Sequence, residues 1–196
     1  AFTEDLHDIL VVRKAQTTSF ALTGPYAKHV PDWPNNSFGA ALDAMRHFTG
    51  QRLPVQIVLE KNIPAQSGLG GSSTDAAALL RALIRLYAID INVDALNSIA
   101  AKIGADVPVC LQPKACWMHG IGEEIGLSIV LPFRYALLVN LDLPIPTKEA
   151  FSRFNVQDAL PFDKKMSAKP TIEAIAKSRN NLTDAAISLH PSLKNL

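Results

Sequence analysis

The residues best suited to chemistry form a glycine- and hydroxyl-rich stretch, PAQSGLGGSSTDAA, at positions 64–77. Glycines allow tight backbone turns and bring N–H groups close to a ligand, and hydroxyl groups can bind phosphate oxygens or a divalent cation. The residues that follow, AAALLRALIRLY, have the apolar spacing of a helix, whose free first-turn N–H groups would point back at the loop. The stretch is therefore a candidate polyphosphate site.

A purely structural interpretation of the same residues is also open. In it, Ser73 or Thr74 is the N-cap of the helix and the glycines only permit the bend. Two known phosphate signatures are excluded. No Gly-Lys-Ser/Thr stands at the spacing of a P-loop, and Ser73 occupies the position of the last Gly or Ala of a Rossmann fingerprint. The loop alone does not decide between a capped turn and a phosphate site.

The elements that must position this loop are visible in the apolar spacing. Segments 8–14 and 55–60 are rich in β-forming residues, and the second leads straight into the loop. Between them, Asn36 or Ser37 can cap a helix that ends near Gly50. The remaining predictions are helices at 76–87, 94–103 and 148–154 and buried strands at 115–118 and 135–140. Strands and helices mix without regular βαβ alternation, which favours an α+β fold.

Composition excludes several classes of protein. A chain of 196 residues, 48% hydrophobic and 19% charged, is typical of a globular protein with one large domain or two small ones. The net charge of +1, with dispersed Lys and Arg, does not favour nucleic acid, so we expect a small-molecule ligand. No membrane span or signal peptide is predicted. Cys110 and Cys116 fit neither a zinc site nor a disulfide framework, which favours a reducing cytoplasm.

Four motifs occur in order along the chain: the loop, GADVPV at 104–109, GIGEE at 120–124 and IPTKEAF at 145–151. Together they resemble the GHMP kinase superfamily of galactokinase, homoserine kinase and mevalonate kinase, and within it the 4-diphosphocytidyl-2-C-methyl-D-erythritol kinase family. The resemblance implies a two-domain α+β fold. Residues 1–118 would form an ATP-binding domain like domain 2 of ribosomal protein S5, and residues 119–196 an incomplete, ferredoxin-like substrate domain.

The activity that the resemblance implies is ATP-dependent phosphorylation of the 2-hydroxyl of 4-diphosphocytidyl-2-C-methyl-D-erythritol, in non-mevalonate isoprenoid biosynthesis. ATP and Mg²⁺ are the implied cofactors, and the enzyme would be a monomer or homodimer without nucleic-acid or membrane partners. Two rival readings stay open, a homoserine or mevalonate type of kinase and an inactive nucleotide-binding fragment. The family's PAKINL, GYH and M-S-G-S-G segments do not occur here, so we expect this sequence to cover only part of such a kinase.

The resemblance also implies roles for single residues. Asp106 would be the general base and contact the substrate, Ser73 would hold the metal, and Thr147 and Phe151 would line the cytidine pocket. The implied ATP-binding residues are Asn36, Lys61, Pro64, Ser67, Gly68, Leu69, Gly70, Gly71, Ser72, Ser73 and Thr74.

The residues themselves also permit purely structural roles. Asp106 could cap the next helix or anchor a turn, and because it lies in the apolar run IGADVPVCL, its carboxylate is expected to need a nearby partner. Phe151 could be a core residue, and Lys61 could be a solvated lysine at the end of a strand. Glu123 and Glu124 are expected to form a solvated pair rather than a metal site.

Overall fold

The computed structural model describes residues 5–112, 114–120, 122, 124–128, 135, 137–141, 143, 145–155 and 178–195. The chain divides into two compact units. The first comprises Ala1–Ala65, Leu69–Lys114 and Met118–Gly126, and the second comprises Gln66–Gly68, Ala115–Trp117 and Leu127–Leu196. The assignment of an ATP-binding domain to 1–118 and a substrate domain to 119–196 remains a prediction.

The first unit contains a three-stranded mixed sheet in the order β1-β3-β2. Its strands are β1 (Ile9–Lys14), β2 (Ser19–Thr23) and β3 (Val55–Glu60). β1 is antiparallel to β3, with Ile9 opposite Glu60, whereas β2 is parallel to β3, with Thr23 opposite Glu60. The predicted strands at 8–14 and 55–60 are confirmed, and β2 is an additional strand. The chain passes from the end of β3 into the glycine-rich loop.

Four helices accompany this sheet: α1 (Ser37–Thr49), α2 (Gly71–Tyr87), α3 (Val93–Ile103) and α4 (Val107–Leu111). The predicted helix ending near Gly50 is confirmed as α1, and the predicted helix at 94–103 as α3. α2 begins five residues before the predicted Ala76 because the hydroxyl-rich segment forms its first turn. Gly104 follows α3 with an extended φ of 178°, so this helix end makes no use of the glycine's freedom.

The core of the first unit lies between one face of the sheet and the helices. On β3, Val55, Ile57 and Leu59 are fully buried, while Gln56 and Glu60 on the other face are exposed. α1 contributes Phe38, Ala41, Leu42 and Met45, and α2 contributes Ala76, Leu79, Leu80 and Leu83. Burial of each large side chain stabilises the fold by about 1.5–3 kcal/mol, which anchors α2 firmly behind the loop.

The second unit holds α5 (Thr147–Ser152) and α6 (Thr183–Leu189), which pack against each other, followed by a 3₁₀ helix at Pro191–Asn195. Arg153 Nη1 donates to the Ser188 carbonyl at 3.1 Å, which ties the end of α5 to α6. Earlier in the chain, between α4 and α5, β4 (Cys116–His119) and β5 (Glu124–Ser128) form a separate two-stranded sheet.

The predicted strand at 135–140 is wrong for the residues of this segment that the structure describes, 135 and 137–140. They have no strand structure, and Tyr135 and Leu137 are 94% and 88% exposed. Apolar composition predicts burial but does not supply the neighbouring strand whose hydrogen bonds a β-strand requires. The other predicted strand, 115–118, is confirmed with a shift of one residue as β4, but its predicted burial is wrong, because Cys116 and Trp117 are half-buried and Met118 and His119 are exposed.

Candidate functional site

The turn before α2 leaves the start of this helix without a side-chain cap. Its N-cap residue is Gly70, with a left-handed φ of 73°, and Gly68 has a similar φ of 72°. The first intrahelical bond runs from Thr74 N to the Gly70 carbonyl at 2.9 Å. The N–H groups of residues 71–73 therefore lie ahead of the helical ladder and have no capping side chain. The interpretation of Ser73 or Thr74 as N-cap is wrong, because both lie inside the first turn.

The hydroxyl groups of this turn differ in what they bond. Thr74 Oγ1 donates to the Gly70 carbonyl at 3.0 Å and lies 3.5 Å from Cys110 Sγ on α4. Within the described ranges, no hydrogen bond engages the side chain of Ser72, which is exposed, or of Ser73, which is half-buried. Two hydroxyl groups next to uncapped amides are thus open to a ligand. Pro64, Ser67 and Leu69 lie in the connection between β3 and α2.

Behind the turn lies a buried cluster of three charged side chains, Asp8, Lys61 and Asp75. Lys61 is 2% exposed, and its Nζ bonds both Asp8 Oδ2 and, at 2.9 Å, Asp75 Oδ2. Asp8 Oδ1 also accepts hydrogen bonds from the backbone N–H groups of Asn62 and Ile63, at 2.6 and 2.8 Å. The cluster joins the chain entering the loop to the helix leaving it. The interpretation of Lys61 as a solvated strand-end lysine is wrong; contact of its side chain with ATP remains a prediction.

Burial raises the pKa of Asp75 from its ordinary 3.8 to about 6. The Lys61 ammonium opposes this shift, and the neighbouring Asp8 carboxylate adds to it. The helical spacing of the sequence could have indicated the buried position, because Asp75 shares the face of Leu79 and Leu83. Asp8 had no such signal, since its partner Lys61 is 53 residues away.

Asn36 is a helix cap. Its Oδ1 accepts from the N–H groups of Phe38 and Gly39, both at 3.1 Å, and its Nδ2 donates to the Pro31 carbonyl at 3.0 Å. A Cβ at Gly39 would stand 1.8 Å from the Pro34 oxygen, so only glycine fits this first turn of α1. The predicted cap is confirmed. A contact of Asn36 with ATP remains a prediction.

Asp106 occupies the N-cap position of α4, but its side chain makes no capping hydrogen bond. α4 buries Val107 and Leu111, whereas Asp106 itself is exposed and has no ion pair with any residue that the structure describes. The expectation that its carboxylate needs a nearby partner is therefore wrong, because water solvates it. An exposed, unpaired carboxylate is open to a substrate.

The helix that carries Asp106 is attached to the helix that follows the loop. Arg81 Nη1 on α2 donates to the Cys110 carbonyl at 2.7 Å, near the end of α4. The GIGEE motif lies close to the other end of α4, its start, because a Cβ at Gly122, whose φ is 115°, would lie 3.2 Å from the Ala105 carbonyl oxygen. Two motifs separated in sequence thus meet at the residue before Asp106. Glu124 is exposed at the start of β5, and Glu123 lies outside the described residues.

Thr147 and Phe151 lie one turn apart on α5, and both are exposed. The buried residue of this helix is Ala150, while Phe151 is 58% exposed, so the interpretation of Phe151 as a core residue is wrong. An exposed aromatic ring is available for stacking. The lining of a cytidine pocket by the two residues remains a prediction.

Among the residues that the structure describes, no group of three or more His, Cys, Asp or Glu side chains could hold a metal ion. Within the same residues, no helix is long and apolar enough to cross a bilayer.

Comparison with known proteins identifies relatives across nearly the whole chain. Residues 36–114 match the GHMP kinases N terminal domain. A 4-diphosphocytidyl-2-C-methyl-D-erythritol kinase from Rhizobium etli is 37% identical over 96% of this chain and 65% of its own length. The corresponding kinase from Cereibacter sphaeroides is 36% identical over 96% of this chain and 67% of its own. The chain thus spans about 65% of the length of the curated relatives it matches.

Solved structures agree with the sequence comparison. A crystal structure of a 4-(cytidine 5'-diphospho)-2C-methyl-D-erythritol kinase superposes with a TM-score of 0.67 at 31% identity, covering 96% of this chain and 67% of that one. A homoserine kinase from Cytophaga hutchinsonii, 19% identical, shares the fold with a TM-score of 0.58 over 78% of this chain and 53% of its own. The predicted GHMP kinase fold is confirmed. By its sequence and its fold, the chain belongs to the 4-diphosphocytidyl-2-C-methyl-D-erythritol kinase family of GHMP kinases.

Proposed function

We propose that the protein catalyses ATP-dependent phosphorylation of the 2-hydroxyl of 4-diphosphocytidyl-2-C-methyl-D-erythritol. The observation that carries this proposal is the uncapped start of α2, flanked by glycines and by the free Ser72 and Ser73 hydroxyls, with the Asp106 helix packed on α2. Phosphoryl transfer to an alcohol needs aligned phosphates, charge neutralisation and a proton acceptor. The family membership supports each of these roles.

The ATP phosphates would lie at the first turn of α2. The N–H groups of Gly71, Ser72 and Ser73 can donate to phosphate oxygens, and the positive end of the helix dipole favours an anion there by about 0.3–2 kcal/mol. Gly70 and Gly68 carry no side chain that would block close approach, and a Cβ at either position would meet no atom within 4 Å. Backbone amides thus supply the main donors.

Mg²⁺ would accompany the nucleotide. The Ser73 hydroxyl fits the ion, since Mg²⁺ prefers oxygen ligands and takes most of them from water and substrate phosphates rather than from a dedicated protein cage. The described residues contain no group of three or more His, Cys, Asp or Glu side chains that could hold the ion alone, so water and phosphate oxygens would supply most of its ligands. When bound, the ion neutralises charge on the phosphates.

Asp106 would act on the acceptor alcohol. Its carboxylate accepts the proton of the 2-hydroxyl, the freed oxygen forms a bond to the γ-phosphorus, and the bond between that phosphorus and ADP breaks. General base catalysis of this kind typically accelerates a reaction by about 10²–10⁴-fold. Thr147 and Phe151 would contact the cytidine, with the Phe151 ring stacked on the base.

The proposed location of the protein is the cytoplasm. The free thiols of Cys110 and Cys116 accord with that reducing compartment.

The test is phosphate transfer by the full-length protein, with MgATP as donor and 4-diphosphocytidyl-2-C-methyl-D-erythritol, homoserine and mevalonate as competing acceptors. We expect transfer to the first alone. Asp106→Asn should lower kcat about 10²–10⁴-fold and leave ATP affinity within a few-fold, because it removes a proton acceptor without touching the phosphate turn. Preference for another acceptor would contradict the substrate assignment. ATP binding without transfer to any of them would favour an inactive nucleotide-binding protein.

A further inference from the structure

We propose that the ion pair between Lys61 and Asp75, supported by Asp8, is a staple that holds the two ends of the 64–70 loop at the spacing nucleotide binding requires. These three side chains would be positioning residues that act through the loop backbone. The inference rests on the proposed function, since it concerns how the same phosphate site is built.

The chain entering the loop is fixed by hydrogen bonds of all three backbone N–H groups of residues 61–63. The Lys61 N–H donates to the Thr23 carbonyl at 2.8 Å, and the Lys61 carbonyl accepts from Tyr26 N at 3.2 Å. The next two N–H groups, of Asn62 and Ile63, both donate to Asp8 Oδ1. Two separate parts of the first unit, residues 23–26 and Asp8, thus hold residues 61–63 in place just before the loop begins.

The chain leaving the loop is tied to the same segment by charge. Asp75 lies near the start of α2, and its Oδ2 accepts from Lys61 Nζ at 2.9 Å across a sequence separation of 14 residues. This bond runs beneath Gly71. A Cβ at Gly71 would lie 2.9 Å from Lys61 Nζ and 3.3 Å from Ile63 Cγ2. The glycine therefore allows the first turn of α2 to approach the ammonium closely.

Between the two anchored segments, positions 66–68 of the loop are exposed, and the Cβ directions of Gly68 and Gly70 are empty to 4 Å. The spacing at which its two ends are held therefore contributes to the geometry of the loop. A staple between them reduces the conformational freedom that phosphate binding would otherwise have to remove, which is the physical basis of preorganisation.

Stability alone does not account for the cluster. Burying charges is costly, and replacement of buried ion pairs by apolar side chains is often neutral or stabilising. Lys61 would also keep a carboxylate partner without Asp75, because Asp8 already pairs with its ammonium group. What the additional carboxylate provides is a directional link from the segment before the loop to the helix after it.

The experiment compares MgATP dissociation constants, KM for ATP, kcat and urea unfolding for the full-length protein and its variants. Asp75→Ala removes the staple while leaving Lys61 paired with Asp8, and Gly71→Ala displaces the Lys61 ammonium while keeping every charge. We expect each to raise the dissociation constant and KM for ATP about tenfold with kcat changed less than about threefold. Asp75→Asn, which keeps a hydrogen-bond acceptor, should recover part of the affinity. Asp43→Asn, which breaks an exposed ion pair with Arg46 on α1, is the matched control and should leave both constants unchanged.

The outcomes separate the staple from the proposed function. If the parent protein binds no ATP, both proposals fail. If it binds ATP and the variants bind equally well, the phosphate site stands and the staple is wrong. If the variants only unfold more easily and lose kcat in proportion to the folded fraction, with KM unchanged, the cluster is merely structural and the inference is overturned.

Discussion

The N-termini of α1 and α2 solve the same physical problem in opposite ways. Each helix begins with N–H groups that its own ladder cannot satisfy. In α1, the neutral side chain of Asn36 accepts from Phe38 N and Gly39 N and closes the end. In α2, Gly70 offers no side chain, and the first amides have no capping acceptor from it. One helix start is complete within the fold, whereas the other is open.

The support beneath the two turns differs as well. The start of α1 is held by Asn36, whose side-chain amide also donates to the Pro31 carbonyl. The start of α2 is held by the buried cluster of Asp8, Lys61 and Asp75. We infer that an open helix end, whose N–H groups an external anion can satisfy, depends on contacts of the neighbouring segments for its position, whereas a capped end is held by its own capping side chain. Four predictions test this difference, in order of decreasing effect.

Removal of the central cation should be the most damaging change. Lys61→Met keeps the length of the side chain but leaves two buried carboxylates without their counter-ion, so we expect the free energy of unfolding to fall by about 3–5 kcal/mol. Chemical denaturation at pH 7 measures it. A loss below about 1 kcal/mol would mean that the cluster supports little of the structure under α2.

The pH dependence of stability should report Asp75. Its folded pKa of about 6 exceeds the ordinary 3.8, so the fold favours the protonated form. The resulting stabilisation is complete below pH 3.8 and decreases as the pH rises to about 6, by about 2–3 kcal/mol. In Asp75→Asn this decrease should disappear. Denaturation curves from pH 4 to pH 7 that stay parallel for parent and variant would contradict the assignment.

An acidic side chain at the open helix end should compete with phosphate. Gly70→Asp places a negative charge where the ATP phosphates are proposed to lie, and we expect MgATP affinity to fall about 10–100-fold. Gly50→Asp is the matched control, because Gly50 has a similar φ of 66° and equally empty surroundings at the far end of α1. It should cost stability without weakening ATP binding. Calorimetric titration that shows equal affinity losses in both variants would contradict the site.

The capped helix should respond in stability alone. Asn36→Ala leaves Phe38 N and Gly39 N without an acceptor, and we expect a loss of about 1–2 kcal/mol in the free energy of unfolding. ATP affinity should stay within about twofold, because α1 is closed by its own cap. A large affinity loss with little change in stability would instead favour the predicted contact of Asn36 with ATP.

The helices α1 and α3 and the strands β1 and β3 could be predicted from local pattern, and the long-range pairs could not. α1 and α3 show amphipathic spacing with Asn residues as caps, so their bounds follow closely from the sequence. β2 was missed because Ser19–Thr23 is a short strand whose partner, β3, is more than 30 residues away. The early start of α2 was missed because glycine and serine have low helix propensity, which the packing of the following turns overrides.

The site shows the same division. The glycine-rich turn and Asp106 could be singled out from motifs, since glycines and hydroxyls before a helix carry a recognisable chemistry. The partnership of Asp8 with Lys61 has no local signal, because the two approach only when β1 pairs with β3. Exposure of Asp106 and Phe151 could not be predicted either, since an apolar neighbourhood in sequence does not determine which side chains a short helix turns outward.

The most direct test of the contrast between the two helix starts is an NMR titration of the ¹⁵N-labelled chain with MgATP, following individual backbone amides. We expect saturable shifts at Gly71, Ser72 and Ser73 and none at Phe38 and Gly39, whose N–H groups are already bonded to Asn36. Shifts confined to the start of α1, or no change at residues 71–73 when ATP is bound, would contradict it.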